Sequence, residues 1–115
     1  MNRLFDQQKR ALNWAQSRGL LRAQIIQPQA LKLVEEVGEL IGAVLKNDTQ
    51  NQHDELGDVL VCLTVLADQL GLDWGDCLRR ANDKIENRTG KTENGVFIKA
   101  EAEQTGVANG TIPTF

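Results

Sequence analysis

The stretch Gln29-Ala30-Leu31-Lys32-Leu33-Val34-Glu35-Glu36-Val37-Gly38-Glu39-Leu40-Ile41-Gly42-Ala43-Val44-Leu45-Lys46 decides how this chain folds. On a helical wheel at about 100° per residue with Lys32 at the origin, Glu36 falls near about 40°, Glu39 near about 340° and Glu35 near about 300°. One stripe about 100° wide thus carries Lys32, Glu35, Glu36, Glu39 and Lys46. The opposite side carries Leu31, Val34, Val37, Ile41, Val44 and Leu45. That periodicity predicts an amphipathic helix whose acidic stripe lies next to a firm apolar face. Pro28 stands at its start, where a fixed φ suits a first helical turn. The polar cluster Asn47-Asp48-Thr49-Gln50-Asn51 ends it.

Working outward, three more helices fit between the Gly and Pro marks. The first runs from Leu4 to Ser17 and stops near Gly19. The third spans Gln52 to Leu70, before Gly71. Asp73 can cap a fourth, from Trp74 to Arg88, with Gly90 as a left-handed cap. Signals for β-structure are weak; Gly95-Val96-Phe97-Ile98-Lys99 can form a short extended stretch. The expected fold is all-α, a four-helix bundle with a C-terminal extended arm. Residues 1–99 form the expected domain, and residues 100–115, small and polar, read as a tail that orders only by lying on something. In the third helix, Leu56, Val59, Leu60, Val61, Cys62, Leu63, Val65, Leu66, Ala67 and Leu70 cover nearly the whole circumference. A helix apolar all round calls for burial all round, which predicts self-association into a homodimer or homotetramer.

Composition narrows the function classes. The chain has 115 residues, which supports one domain. Thirteen Lys and Arg against sixteen Asp and Glu give a net charge of −3, so there is no general attraction to a nucleic acid polymer or an anionic membrane. A phosphate ligand must be held by local cations or a metal. No segment approaches a membrane span or a secretion signal. Cys62 and Cys77 lack the spacing of a zinc site or a disulfide scaffold. A cytoplasmic location is the expectation.

The third helix adds Glu55 and Asp58, an i,i+3 pair just before its apolar run. If the second and third helices pair antiparallel across residues 47–51, Glu39 and the Glu55/Asp58 pair lie at similar distances from the turn. Five carboxylates then converge. At ~5 Å and an effective dielectric of ~20, each like-charged pair costs roughly 3 kcal/mol. Protons or cations must neutralise them. Oxygen ligands alone favour a hard ion, Mg²⁺ first and Mn²⁺ next. The bland alternative is a solvated helix face with pairs such as Lys32–Glu36. The lone His53 completes no zinc set.

Glu35-Glu36-x-x-Glu39, then 15 residues, then Glu55-x-x-Asp58 resembles the EExxE…ExxD signature of MazG-like proteins. These are all-α nucleoside triphosphate pyrophosphohydrolases, related to dimeric dUTPases and phosphoribosyl-ATP pyrophosphohydrolase. Trp14-Ala15-Gln16-Ser17-Arg18-Gly19-Leu20, Asp54-Glu55-Leu56-Gly57-Asp58-Val59-Leu60 and Arg88-Thr89-Gly90-Lys91 with Asn94–Lys99 are similar to small phage and bacterial members. The resemblance covers residues 10–99. It implies hydrolysis of a (deoxy)nucleoside triphosphate to the monophosphate and pyrophosphate, in the control or cleaning of a nucleotide pool. It implies Mg²⁺ ligation by Glu36, Glu39, Glu55 and Asp58, with Glu35 polarising the attacking water.

Leaving pyrophosphate and bound phosphates also need cations. On family grounds Arg88 and Lys91 are expected to bind phosphate, and Lys84, further out on the fourth helix, is a third candidate. Lys32 is either a salt-bridge partner or a phosphate contact. Trp14 can stack on a base or fill the core with Ala11 and Ala15. Two other functions stay open at this level. One is phosphoribosyl-ATP hydrolysis; the other is a non-catalytic helical dimerisation module whose carboxylates only sequester a cation.

Overall fold

A computed structural model describes residues 3–22 and 25–100. Four helices follow in order: α1 (Arg3–Ser17), α2 (Gln27–Leu45), α3 (Thr49–Gln69) and α4 (Trp74–Ile85). A 3-10 turn, Leu20–Arg22, separates α1 from α2, and a hairpin of β1 (Gly90–Glu93) and β2 (Val96–Lys99) follows α4. The chain divides into two compact units, Met1–Trp74 and Gly75–Phe115.

In the first unit α3 packs against both α1 and α2. Its inward side is Val59, Cys62, Thr64 and Val65, and Ala15 of α1 and Ala43 of α2 are buried with it. The small Ala side chains let the helix backbones approach closely. Thr64, a hydroxyl among apolar neighbours, donates to the Leu60 carbonyl at 2.8 Å and so carries no unmet donor inside. After α1 the chain turns through Gly19, at φ 75°. The amide of Gln69 in α3 then holds the 3-10 turn by donating to the Leu20 carbonyl at 2.9 Å.

The helical hairpin of α2 and α3 is closed by a tight connection. Asn47 takes φ 54°, a left-handed conformation that Asn tolerates better than most residues. Asp48 caps α3, accepting from the Asn51 backbone N–H at 3.2 Å and from its side-chain amide at 2.7 Å. Gln52 reaches back to donate to the Ala43 carbonyl at 3.3 Å. This clasp sets which turn of α2 faces which turn of α3.

Two apolar surfaces of the first unit stay open in the single chain. The apolar side of α2 does not face the core of the chain: Leu31, Val34, Ile41, Val44 and Leu45 are all exposed, Leu45 to 77%. The buried residues of α2 are Glu36 and Ala43, so the side that meets α3 includes the acidic stripe. A wheel shows that two faces differ but not which one turns inward. In keeping with the expectation that its all-round apolar surface needs more than this chain to cover it, α3 leaves Leu56, Leu60, Val61 and Leu70 partly or half exposed.

In the second unit α4 ends at Ile85 rather than at Arg88. The expected extended stretch at 95–99 is real but is one half of an antiparallel pair, Glu93 opposite Val96 and Gly90 opposite Lys99. Asn94 and Gly95, at φ 51° and 77°, make the two-residue turn that Asn-Gly favours. Gly90 is therefore not a helix cap. Its Cα lies so close to β2 that a Cβ there would overlap the Ile98 carbonyl oxygen. Of the expected tail over 100–115, Ala100 is described, its backbone N–H donating to the Thr89 carbonyl at 2.9 Å, and residues 101–115 lie outside the described residues.

Candidate active site

The clasped turn brings three carboxylates to one level. One oxygen each from Glu36, Glu39 and Glu55 lies within 4.8 Å of the others. Glu36 is the anchor. Its side chain is only 9% exposed, and its Oε1 lies 3.0 Å from the Lys32 ammonium. Its Oε2 is buried with no hydrogen-bond partner, and so is Oε2 of Glu55. Buried carboxylate oxygens without partners are costly, and a single ammonium does not satisfy three acids. The donor set is oxygen only, which suits a hard dication such as Mg²⁺ or Mn²⁺. Two orphaned oxygens within that set are the observation that fits it.

Asp58 is not part of this tight trio. It lines a cavity of about 510 Å³ together with Glu36 and Lys32. Trp14, Leu20, Pro28 and Val65 supply an apolar wall of the same cavity. Glu35 is exposed, with Oε1 3.8 Å from the Lys32 ammonium, so Lys32 stands within reach of both neighbouring acids. Trp14 is half exposed, and the core position expected nearby belongs to Ala15. The indole also lines a second cavity, of about 510 Å³, with Leu4, Gln8, Ala11 and Leu60. Lys84, Arg88 and Lys91 belong to the second unit, where Lys84 is in the last turn of α4 and the Lys91 ammonium pairs with Glu93 at 2.7 Å.

The cavity walls include residues the sequence reading left aside. Gln29 precedes Lys32 by three residues, so its place on the same stripe could be read from the wheel. Gln8, whose Nε2 is buried without a partner, has no such signal. Cys62 lines the first cavity, and burial followed by the nearby Glu36 charge pushes its thiol up, keeping it a neutral wall rather than a nucleophile.

Burial, then the hydrogen bond to and charge of Glu39, then the charges of Asp58 and Glu36, raise the Glu55 carboxyl above its ordinary value of 4.5. The group binds its proton more tightly folded than unfolded. Its contribution to stability is fully present below pH 4.5 and is lost as pH rises through the folded value. In metal-free buffer, Glu55→Gln is therefore expected to raise the melting temperature at neutral pH and to leave it nearly unchanged near pH 4. Melting curves across that range check it, and an equal effect at both ends would contradict it.

The sequence profile of the MazG nucleotide pyrophosphohydrolase domain matches residues 26–92, more than half of the chain. The chain belongs to the MazG family. The matched stretch contains all five acids, the α2–α3 hairpin and α4. An uncharacterized 18.2 kDa protein from the rep-hol intergenic region of Haemophilus phage HP1 (strain HP1c1) is 40% identical over 60 residues. That alignment covers 52% of this chain and 37% of the relative, so this MazG chain spans well under half the length of that protein. No solved structure matches. The matched domain is described as a nucleotide pyrophosphohydrolase domain, and the mostly helical structure agrees with an all-α MazG fold. No described helix is long and apolar enough to cross a membrane.

Proposed function

We propose that this MazG chain hydrolyses a (deoxy)nucleoside triphosphate to the monophosphate and pyrophosphate in a Mg²⁺-dependent reaction. The observation that carries the reading is the buried Glu36, with an oxygen lacking any partner, gathered with Glu39 and Glu55. Glu36, Glu39, Glu55 and Asp58 would hold the dication, and Mn²⁺ could substitute for it. Bound there, the ion supplies neutralisation of phosphate oxygens and a more acidic water.

The protein's own groups account for the rest. Water attacks the α-phosphorus, the bond from that phosphorus to the bridging oxygen breaks, and pyrophosphate leaves with the bonding electrons. The proton of the attacking water goes to Glu35, which is exposed and can return it to solvent. Lys32, Lys84, Arg88 and Lys91 would meet the phosphates, and the half-exposed Trp14 face would take the base. The working protein would be a cytoplasmic homodimer or homotetramer of one domain over residues 1–99, acting on a nucleotide pool. The exposed apolar side of α2 supports association.

The test is a panel of NTPs and dNTPs with Mg²⁺ and product identification. Monophosphate with pyrophosphate is expected; orthophosphate release contradicts the mechanism. Turnover of phosphoribosyl-ATP alone would assign the related histidine-synthesis reaction, and cation binding without turnover of any nucleotide would assign a non-catalytic module. Glu35→Gln is expected to lower the rate by about 10²- to 10⁴-fold, the usual worth of a general base. Calorimetry should find its Mn²⁺ affinity changed by no more than about threefold, as a carboxylate off the metal would give. Lost metal binding would remove Glu35 from that role.

A further inference from the structure

Lys32 and Glu36 are unequal partners. The carboxylate is nearly enclosed, with 9% of its side chain exposed, whereas half of the Lys32 side chain is in solvent. The ammonium sits 3.0 Å from Glu36 Oε1 and leaves Oε2 uncovered. A lysine head on a four-carbon stem is a mobile point charge. Glu36 is held in place by its helix and by the packing of α3. A dication taken up by Glu36, Glu39 and Glu55 would stand beside that ammonium and repel it. The ammonium would then move while the carboxylate stays.

We infer that Lys32 is the resident counter-ion of Glu36, displaced when a dication takes the carboxylate and then available to a phosphate oxygen of the nucleotide in the same cavity. The inference rests on the hydrolase reading above and goes beyond it by giving one side chain two successive partners. Lys32 lines the cavity with Glu36 and Asp58, so the displaced head stays within the space a nucleotide would enter. In the metal-free protein the Lys32 ammonium has both neighbouring acids in reach, Glu36 at 3.0 Å and Glu35 at 3.8 Å. Metal and nucleotide are then coupled through this residue: each favours the arrangement in which Lys32 has left Glu36. By reciprocity, the metal tightens nucleotide binding by the same factor as the nucleotide tightens metal binding.

Lys32→Met keeps the stem and removes the charge. Calorimetric titration with Mn²⁺ alone is expected to find roughly 3- to 10-fold tighter binding in this variant, because the ion no longer competes with a partly exposed ion pair. In saturating Mn²⁺, a non-hydrolysable α,β-imido deoxynucleoside triphosphate is expected to bind about 10-fold more weakly, for want of a charge-assisted phosphate contact. Lys32→Arg, which retains the charge, should leave Mn²⁺ affinity near that of the wild type. Unchanged or weaker Mn²⁺ binding by Lys32→Met overturns the inference, since a lysine that merely orients Glu36 would give that result. Lys32→Gln repeats the comparison should the Met variant fold poorly. A wild type that binds no Mn²⁺, or hydrolyses no nucleotide, overturns the hydrolase reading. A wild type that does both, beside a Met variant without tighter Mn²⁺ binding, overturns the Lys32 exchange alone.

Discussion

Glu36→Gln is expected to reduce nucleotide hydrolysis by about 10³-fold or more and to abolish measurable Mn²⁺ binding, while the metal-free protein keeps its fold. The magnitude is that of removing a charged group from the proposed charge-stabilising centre of a hydrolytic site. Glu36 is the buried member of the acidic trio, so no solvent-exposed neighbour can swing in to replace it. The fold should persist because the amide has nearly the same shape and removes a charge that repels Glu39 and Glu55. Lys32 loses its closest partner, but half of its side chain already lies in solvent. Steady-state rates, calorimetry and circular dichroism on one preparation test all three statements. A variant that still hydrolyses nucleotide within tenfold of the wild type removes Glu36 from the centre.

The second large effect concerns association. Leu31, Val34, Ile41, Val44 and Leu45 form an exposed apolar side of α2, with Leu31 69% and Leu45 77% exposed in the single chain. Contiguous apolar surface of this kind is rarely left to water in a stable protein. Ile41→Glu puts a charge in the middle of it. If the side is covered by another copy, burying that charge unpaired costs several kcal/mol and weakens self-association by about 10²-fold or more. Sedimentation velocity should show the wild type as dimer or larger and Ile41→Glu as monomer at the same concentration. A monomeric wild type would refute the association, and an Ile41→Glu variant of unchanged mass would place the interface elsewhere.

The sequence carried much of this fold for identifiable reasons. Pro28 in the first turn of α2, the Asp48 cap and Gly71 after α3, at φ 70°, are local devices whose chemistry acts over a few residues. The convergence of Glu36, Glu39 and Glu55 could be anticipated from counting residues on either side of a short turn. The exposure of the apolar side of α2 could not, because it depends on α1 packing against α3 instead of covering that side. Asp58 illustrates a similar limit: i,i+3 spacing puts it on the same edge of α3 as Glu55, yet only Glu55 reaches the tight trio. The hairpin was legible in principle, since Asn94-Gly95 between β1 and β2 is a strong turn signal. It was obscured by reading Gly90 as the stop of a helix that in fact ends at Ile85.

The clasp between Gln52 and Ala43 has a consequence for how this molecule comes into being. All three converging acids fall within residues 36–55, so the chain closes only one short loop to gather them. Contacts this local form early and fast in a folding polypeptide. The three acids of the proposed ion site can thus meet without any contribution from the N-terminal helix.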